Sequence, residues 1–146
     1  MQKLSEIQAD FALLDEWEDR YRYVIELGRG LEPLTESWRT PDNKVEGCVS
    51  QVWLHSQLLD DDNEGPMLVL HGDSDAHIVR GLIAILFALF SGRTPRQVLD
   101  SDANTVFERL SLREHLTPQR SNGLNAMVER IKRDARLALE NMASVH

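Results

Sequence analysis

Apolar positions in the first thirty residues recur at helical spacing. Ile7, Phe11 and Leu14 are followed by Trp17, Tyr21, Val24, Ile25 and Leu27, with acids and arginines between them, the three-to-four-residue period of an amphipathic helix. Ser5 to Gly30 therefore reads as two helices, or as one broken near Asp15. Gly28 and Gly30 end the pattern, and Leu31 to Asp42, with Pro33 and Pro41, has loop chemistry. Gln51 to Leu59 and Pro66 to His71 are rich in Val, Leu and Trp and flank the acidic turn Asp60 to Gly65, which predicts a β hairpin. Lys44 to Glu46 is available as a further short strand in a small antiparallel sheet.

The stretch HGDSDAHIVRGLIAILFALFSG predicts the next helix, with Asp73 or Ser74 capping its first free amides and Gly92 as a left-handed stop. It is apolar nearly all round, so it belongs at the centre of the domain. Thr94-Pro95 opens a short helix to Asp100, another runs from Asp102 to Leu110, and Thr117-Pro118 is a third cap-then-proline start. From Leu124 the last helix places Leu124, Met127, Val128, Ile131, Ala135, Ala138, Leu139 and Met142 on one stripe. Helices, hairpin and helices in this order argue an α+β fold, a single compact domain over residues 1–146 with a small antiparallel sheet packed against helices.

Composition narrows the function classes. The 146 residues are 42% hydrophobic and 27% charged, with a net charge of -8, so the overall field repels phosphate backbones and anionic lipid. Nucleic acid is not an expected partner. The longest apolar run, Gly81 to Phe90, is half of the ~20 residues a membrane span needs, and the N-terminal stretch lacks the apolar core of a signal peptide. One cysteine excludes an internal disulfide and points to a reducing, cytoplasmic setting.

Several constellations invite chemistry. His71, Asp73, Asp75 and His77 alternate as metal ligands would on an extended strand, but a helix starting near Ser74 turns His77 away, and the plainer reading is a capped helix with carboxylates in its first turn. No metal is expected. Gly72-Asp73-Ser74 resembles a serine esterase block, yet the chain has no Asp-x-x-His for a triad, and Gly28-Arg29-Gly30 lacks the rest of a phosphate loop. Cys48 remains, either as a small buried hydrophobe or as a nucleophile that works alone. Gly47 before it and Ser50-Gln51 after it make a tight turn between loop and strand, where a thiol can be presented to another protein.

Four blocks resemble the SufE family, sulfur acceptors that partner cysteine desulfurases in iron–sulfur cluster assembly. They are YVIELG from Tyr23, NKVEGCVSQVWL from Asn43, GDSDAHIVRGLIA from Gly72 and LTPQRSNGLNAM from Leu116, in family order and spacing. Val49 stands where the family commonly has Gln, Gln119 where it has Ser and Glu32 where it has Pro; none of these removes the thiol or Arg120. The resemblance implies a fold similar to the NifU-type scaffold with the cysteine on a loop beside the sheet. It also implies that Cys48 takes persulfide sulfur from a SufS-like, PLP-dependent cysteine desulfurase, stimulates that enzyme and delivers the sulfur to a SufB-type scaffold complex, with no cofactor of its own. Gly47, Ser50, Gln51 and Arg120 are the expected loop and support residues, Asp75 and Glu46 the expected partner-binding carboxylates, and a monomer or weak homodimer the expected state. A non-catalytic module that activates the desulfurase allosterically is the alternative. Glu46, two residues from the thiol, disfavours its anion, so activation falls to Arg120 or a helix N terminus. The loop from Asn43 to Ser50 is expected to tuck Cys48 against the sheet at rest and swing outward on docking, with Gly47 as a hinge.

Overall fold

A computed structural model describes residues 3–60 and 65–144. Helices α1 (Leu4–Ala12) and α2 (Trp17–Arg29) are separate, and Arg20 of α2 closes the gap by donating from Nε to the Leu14 carbonyl at 2.7 Å and from Nη2 to the Phe11 carbonyl at 3.2 Å. After two short 3-10 turns, Glu36–Trp38 and Pro41–Asn43, come strands β1 (Val52–Leu59) and β2 (Met67–Ser74), then α3 (His77–Phe90), α4 (Pro95–Asp100), α5 (Ala103–Arg109), α6 (Leu112–His115) and α7 (Pro118–Ser144). Acidic residues 61–64 of the hairpin turn lie outside the described residues.

Helix α3 buries almost its whole circumference, Ile78, Leu82, Ile83, Ile85, Leu86 and Phe90 among others. It is walled by α2 on one side and by the hairpin on another. The α2 contact is close because glycines meet there: a Cβ on Gly81 would fall 2.0 Å from the Val24 carbonyl oxygen, and one on Gly28 would fall 2.6 Å from the Gly81 nitrogen. Helix α7 lays Leu124, Met127, Ile131 and Ala135 against the same core. It begins at Thr117-Pro118, as one helix of 27 residues, rather than at Leu124.

The hairpin pairs Val52 with Ser74 through Leu59 with Met67, and alternation divides its side chains. Val52, Leu54, Leu68 and Leu70 are buried on the core face. The opposite face is roofed by the segment before the cysteine loop: Trp38 stacks on His55 at 4.3 Å and on His71 at 4.6 Å, and Arg39 lies 4.9 Å over the Trp53 ring. Asn43 ties this roof down, donating to the Trp38 carbonyl and accepting from Arg130 of α7.

Three expectations are corrected. Strand β2 continues past His71 to Ser74, because Asp73 is drawn into ion pairs with Arg39 (2.6 Å) and Arg80 (3.1 Å) and the ladder to Val52 and Trp53 stays intact. Asp73 therefore caps no helix; α3 starts at His77, and Ser74 Oγ accepts only the Ala76 amide just ahead of it. Lys44 to Glu46 contributes a single bridge, Lys44 to Trp53, since the chain turns away at Gly47, whose φ of 93° is left-handed. Helix α6 was not anticipated by the sequence pattern.

Gly81→Ala should lower unfolding free energy by about 3 kcal/mol, the upper range for overpacking a tight core, as read by urea denaturation. Burial, with weaker effects from neighbouring charges, holds both His55 and His71 below the ordinary histidine pKa. The fold thus favours the neutral rings: their stabilisation is complete above the ordinary histidine pKa and is lost as pH falls through the two depressed values. Wild type should lose more denaturation midpoint between pH 7 and pH 5 than the His55→Gln, His71→Gln double variant does.

Candidate functional site

Cys48 sits on the turn that carries the chain from the Trp38 roof into β1. Gly47 supplies the bend with its positive φ, a conformation in which an L side chain is strained, and it approaches α7 closely enough that an added Cβ would sit 3.4 Å from Ala126. The thiol points inward. Cys48 Sγ lies 3.6 Å from the Gly123 carbonyl oxygen, to which it donates, and it is half-buried. Val49, next in the chain, is 78% exposed.

The loop is held at its far end by an unusual closure of the β ladder. The Asp75 amide donates to the Gln51 carbonyl at 3.3 Å, continuing the hairpin register by one pair. The return bond goes to a side chain: the Gln51 amide donates to Asp75 Oδ1 at 3.0 Å. Gln51 and Asp75 are thus brought together as a latch, whereas Glu46 stands exposed on the loop.

Beneath the thiol lies a cavity of about 220 Å³. Val79 and Leu82 of α3 and Met127 of α7 give it an apolar floor, and Cys48, Ser50, Thr117, Gln119 and Arg120 stand around it. The structure thus brings Cys48, Ser50 and Arg120 to one cavity from separated stretches of chain. Arg120 Nη1 faces the Tyr21 hydroxyl at 3.5 Å. Burial first and the Glu46 carboxylate second push the Cys48 thiol above its ordinary pKa, so the resting cysteine is protonated at neutral pH.

Gly123, Val79, Leu82 and Met127 were missed as site residues. The one sequence signal was Gly123, a glycine in the second turn of a helix, where it is unfavourable by ~1 kcal/mol relative to Ala. Residues His71, Asp73 and Asp75 are separately engaged: His71 Nε2 pairs with Gln57 at 2.9 Å, Asp73 with two arginines, Asp75 with Gln51; His77 stands exposed at the start of α3. Among the described residues no three His, Cys, Asp or Glu side chains gather as metal ligands, and no helix is long and apolar enough to cross a membrane.

Fold and site together define an α+β domain that carries one thiol on a latched loop above an apolar cavity. The chain belongs to the SufE family: the family model, described as an Fe-S metabolism associated domain, matches residues 5–135. It is 53% identical to an uncharacterized SufE-like protein of Rhizobium meliloti over 135 residues, 92% of this chain and 96% of that protein. A SufE-like protein of Rhizobium etli is 52% identical over 137 residues, 94% and 92% of the two chains. The solution structure of a hypothetical protein from Thermus thermophilus superposes with a TM-score of 0.72 at 22% identity, covering 94% of this chain and 96% of that one, a likeness of fold.

Asp75→Ala removes the latch on the Gln51 amide. The expected result is faster amide exchange at Gln51 and several-fold faster alkylation of Cys48, with a stability loss of about 1 kcal/mol, the worth of one such hydrogen bond; unchanged exchange at Gln51 would show that the ladder holds without it.

Proposed function

We propose that Cys48 accepts sulfur, as a persulfide, from a SufS-like cysteine desulfurase and passes it to a SufB-type scaffold in iron–sulfur cluster assembly. One observation carries the reading: the chain's sole thiol is placed on a short loop, between the left-handed Gly47 and the Gln51–Asp75 latch, above a cavity of about 220 Å³. A reactive group that must meet two large partners in turn needs such a mobile mount.

In the transfer, the Cys48 thiolate attacks the outer sulfur of the donor's persulfide. The donor's S–S bond breaks as a new S–S bond forms on Cys48; the donor sulfur leaves with the bonding electron pair and takes up the proton that Cys48 released. The exchange needs no outside oxidant or reductant. Delivery to the scaffold repeats it with Cys48 as the leaving group. The PLP chemistry that makes the first persulfide belongs to the desulfurase.

Each loop residue has a part. Gly47 permits the swing, and Ser50 and Gln51 form the stem that remains attached to the sheet. Val49, exposed beside the thiol, is an apolar contact for the docking partner. Glu46 and Asp75 are exposed carboxylates on either side of the loop, placed to meet a basic partner surface. Arg120, at the cavity rim, is the cation nearest the path of the moving thiol and supports the anion once Cys48 leaves its resting position. Between partners the apolar floor of Val79, Leu82 and Met127 keeps the bound sulfur from water and stray thiols. The chemistry belongs in a reducing compartment such as the cytoplasm.

The withdrawn, protonated state of the resting thiol favours one rival, a module that activates the desulfurase allosterically with Cys48 incidental. Incubation with a PLP-dependent desulfurase and cysteine, without reductant, separates the two. Intact mass should rise by about 32 Da, one sulfur atom, in wild type and not in Cys48→Ser, which should melt within a few degrees of wild type. No mass gain, with desulfurase turnover still raised by Cys48→Ser, would establish the allosteric module instead.

A further inference from the structure

We propose that Gly123 of α7 is a seat for the empty carrier: its missing side chain leaves room for Cys48 Sγ and its carbonyl receives the S–H, so the cysteine becomes a nucleophile only when the loop lifts. This deepens the reading of Cys48 as a sulfur acceptor and rests on it for the meaning of "empty"; the seat itself is a property of the resting protein.

The fit is close. A Cβ on Gly123 would lie 3.3 Å from Cys48 Sγ, tighter than ordinary contact, and 3.7 Å from both its Cα and its Cβ, so an alanine there makes the thiol give way by a few tenths of an ångström and loosens its contact with the carbonyl. Gly123 is buried, and a glycine inside a helix is costly unless something needs the space. Its carbonyl has two lone pairs, one for the helix and one for a further donor, and the Sγ–O separation of 3.6 Å suits a sulfur donor.

The contact selects one chemical state. A thiol donates to a carbonyl oxygen; a thiolate sets negative charge against the oxygen's lone pair. A persulfide fails as well, because its proton is on the outer sulfur and Sγ carries none. Loading therefore removes one of the contacts that hold the loop and leaves the Gly47 packing and the Gln51–Asp75 latch. The groups facing the thiol agree with a neutral seat: Glu46 on its own loop opposes the anion, α3 contributes only Val79 and Leu82, and α7 contributes Met127, Gln119 and, at the rim, Arg120. Burial raises the thiol's pKa in the same direction.

Alkylation by iodoacetamide from pH 6 to pH 10, followed by intact mass, reads the seat directly, because the chain has one cysteine. Folded wild type should react more slowly, with a higher midpoint, than the same chain in urea. Gly123→Ala should react several-fold faster at pH 7, with its midpoint moved toward that of the unfolded chain. Ala135→Gly, a buried change farther along α7, should lower the melting temperature and leave the alkylation rate as it was. Equal profiles for wild type and Gly123→Ala, or an equal acceleration in Ala135→Gly, would overturn the seat. Should Gly123→Ala not fold, the Gly123 carbonyl carbon resonance of wild type decides: it should move with the midpoint of Cys48 ionisation and lose that titration in Cys48→Ala, and a resonance indifferent to both refutes the contact. None of these readouts uses a desulfurase, so a failed seat and a failed sulfur acceptor are told apart.

Discussion

Helix α3 has almost no polar face, and the rest of the molecule is arranged to keep it from water. Its apolar circumference must be covered on every side, and four elements share in this: α1, with Ile7 and Phe11; α2, brought close by Gly28 and Gly81; the core face of the hairpin; and the stripe of α7. The cavity under Cys48 follows from this arrangement. It lies between α3 and α7, and its floor of Val79, Leu82 and Met127 is core side chain. The surroundings of the thiol thus belong to the core, while the residue itself rides on a turn.

A receptacle built from the core and a thiol carried on a turn divide the work in the proposed reading. Charge and burial within the receptacle hold Cys48 neutral, and the hold is reversible because few contacts maintain it: one weak S–H donation, the packing of Gly47 on Ala126 and the Gln51–Asp75 latch. The Trp38 roof anchors the chain just upstream through Asn43 and Arg130, and the Arg130–Asp134 ion pair beneath it is largely buried. The outward swing proposed for the thiol is thereby confined to the few residues between two fixed points.

Much of this fold is legible in the sequence because the signals are local. The run from Gly81 to Phe90 is buried helix, Thr94-Pro95 starts a helix whose capping box with Gln97 is complete, and alternation in Val52 to Leu59 makes the strand. Errors arise where a distant partner overrides a local rule. Gly72 and Asp73 look like breakers, yet β2 runs through them because Arg39 and Arg80 hold Asp73 from other elements. Thr117-Pro118 is legible as a helix start, but the apolar stripe beginning at Leu124 hides that one continuous helix runs from Pro118 and places Arg120 and Gly123 at the cavity. Cys48 stands out in the sequence by being alone; its seat is supplied by residues some thirty to eighty positions away, which no local pattern reveals.

A thiol kept protonated is an odd choice for a nucleophile only if reactivity must be ready in advance. Lowering a thiol's pKa increases the fraction ionised but weakens the nucleophile that results, with the two effects partly offsetting one another. A raised pKa does the opposite: Cys48 is quiet toward oxidants and stray electrophiles at rest, because almost none of it is thiolate, and intrinsically strong once ionised. Ionisation then depends on place rather than on acidity. If the loop lifts as proposed, leaving the seat removes the desolvation that holds the proton and brings the sulfur past Arg120, so the change that exposes the thiol also activates it. On the proposed reading, selectivity for the right donor comes from whichever partner can draw the loop outward, and the chemistry itself needs no further discrimination.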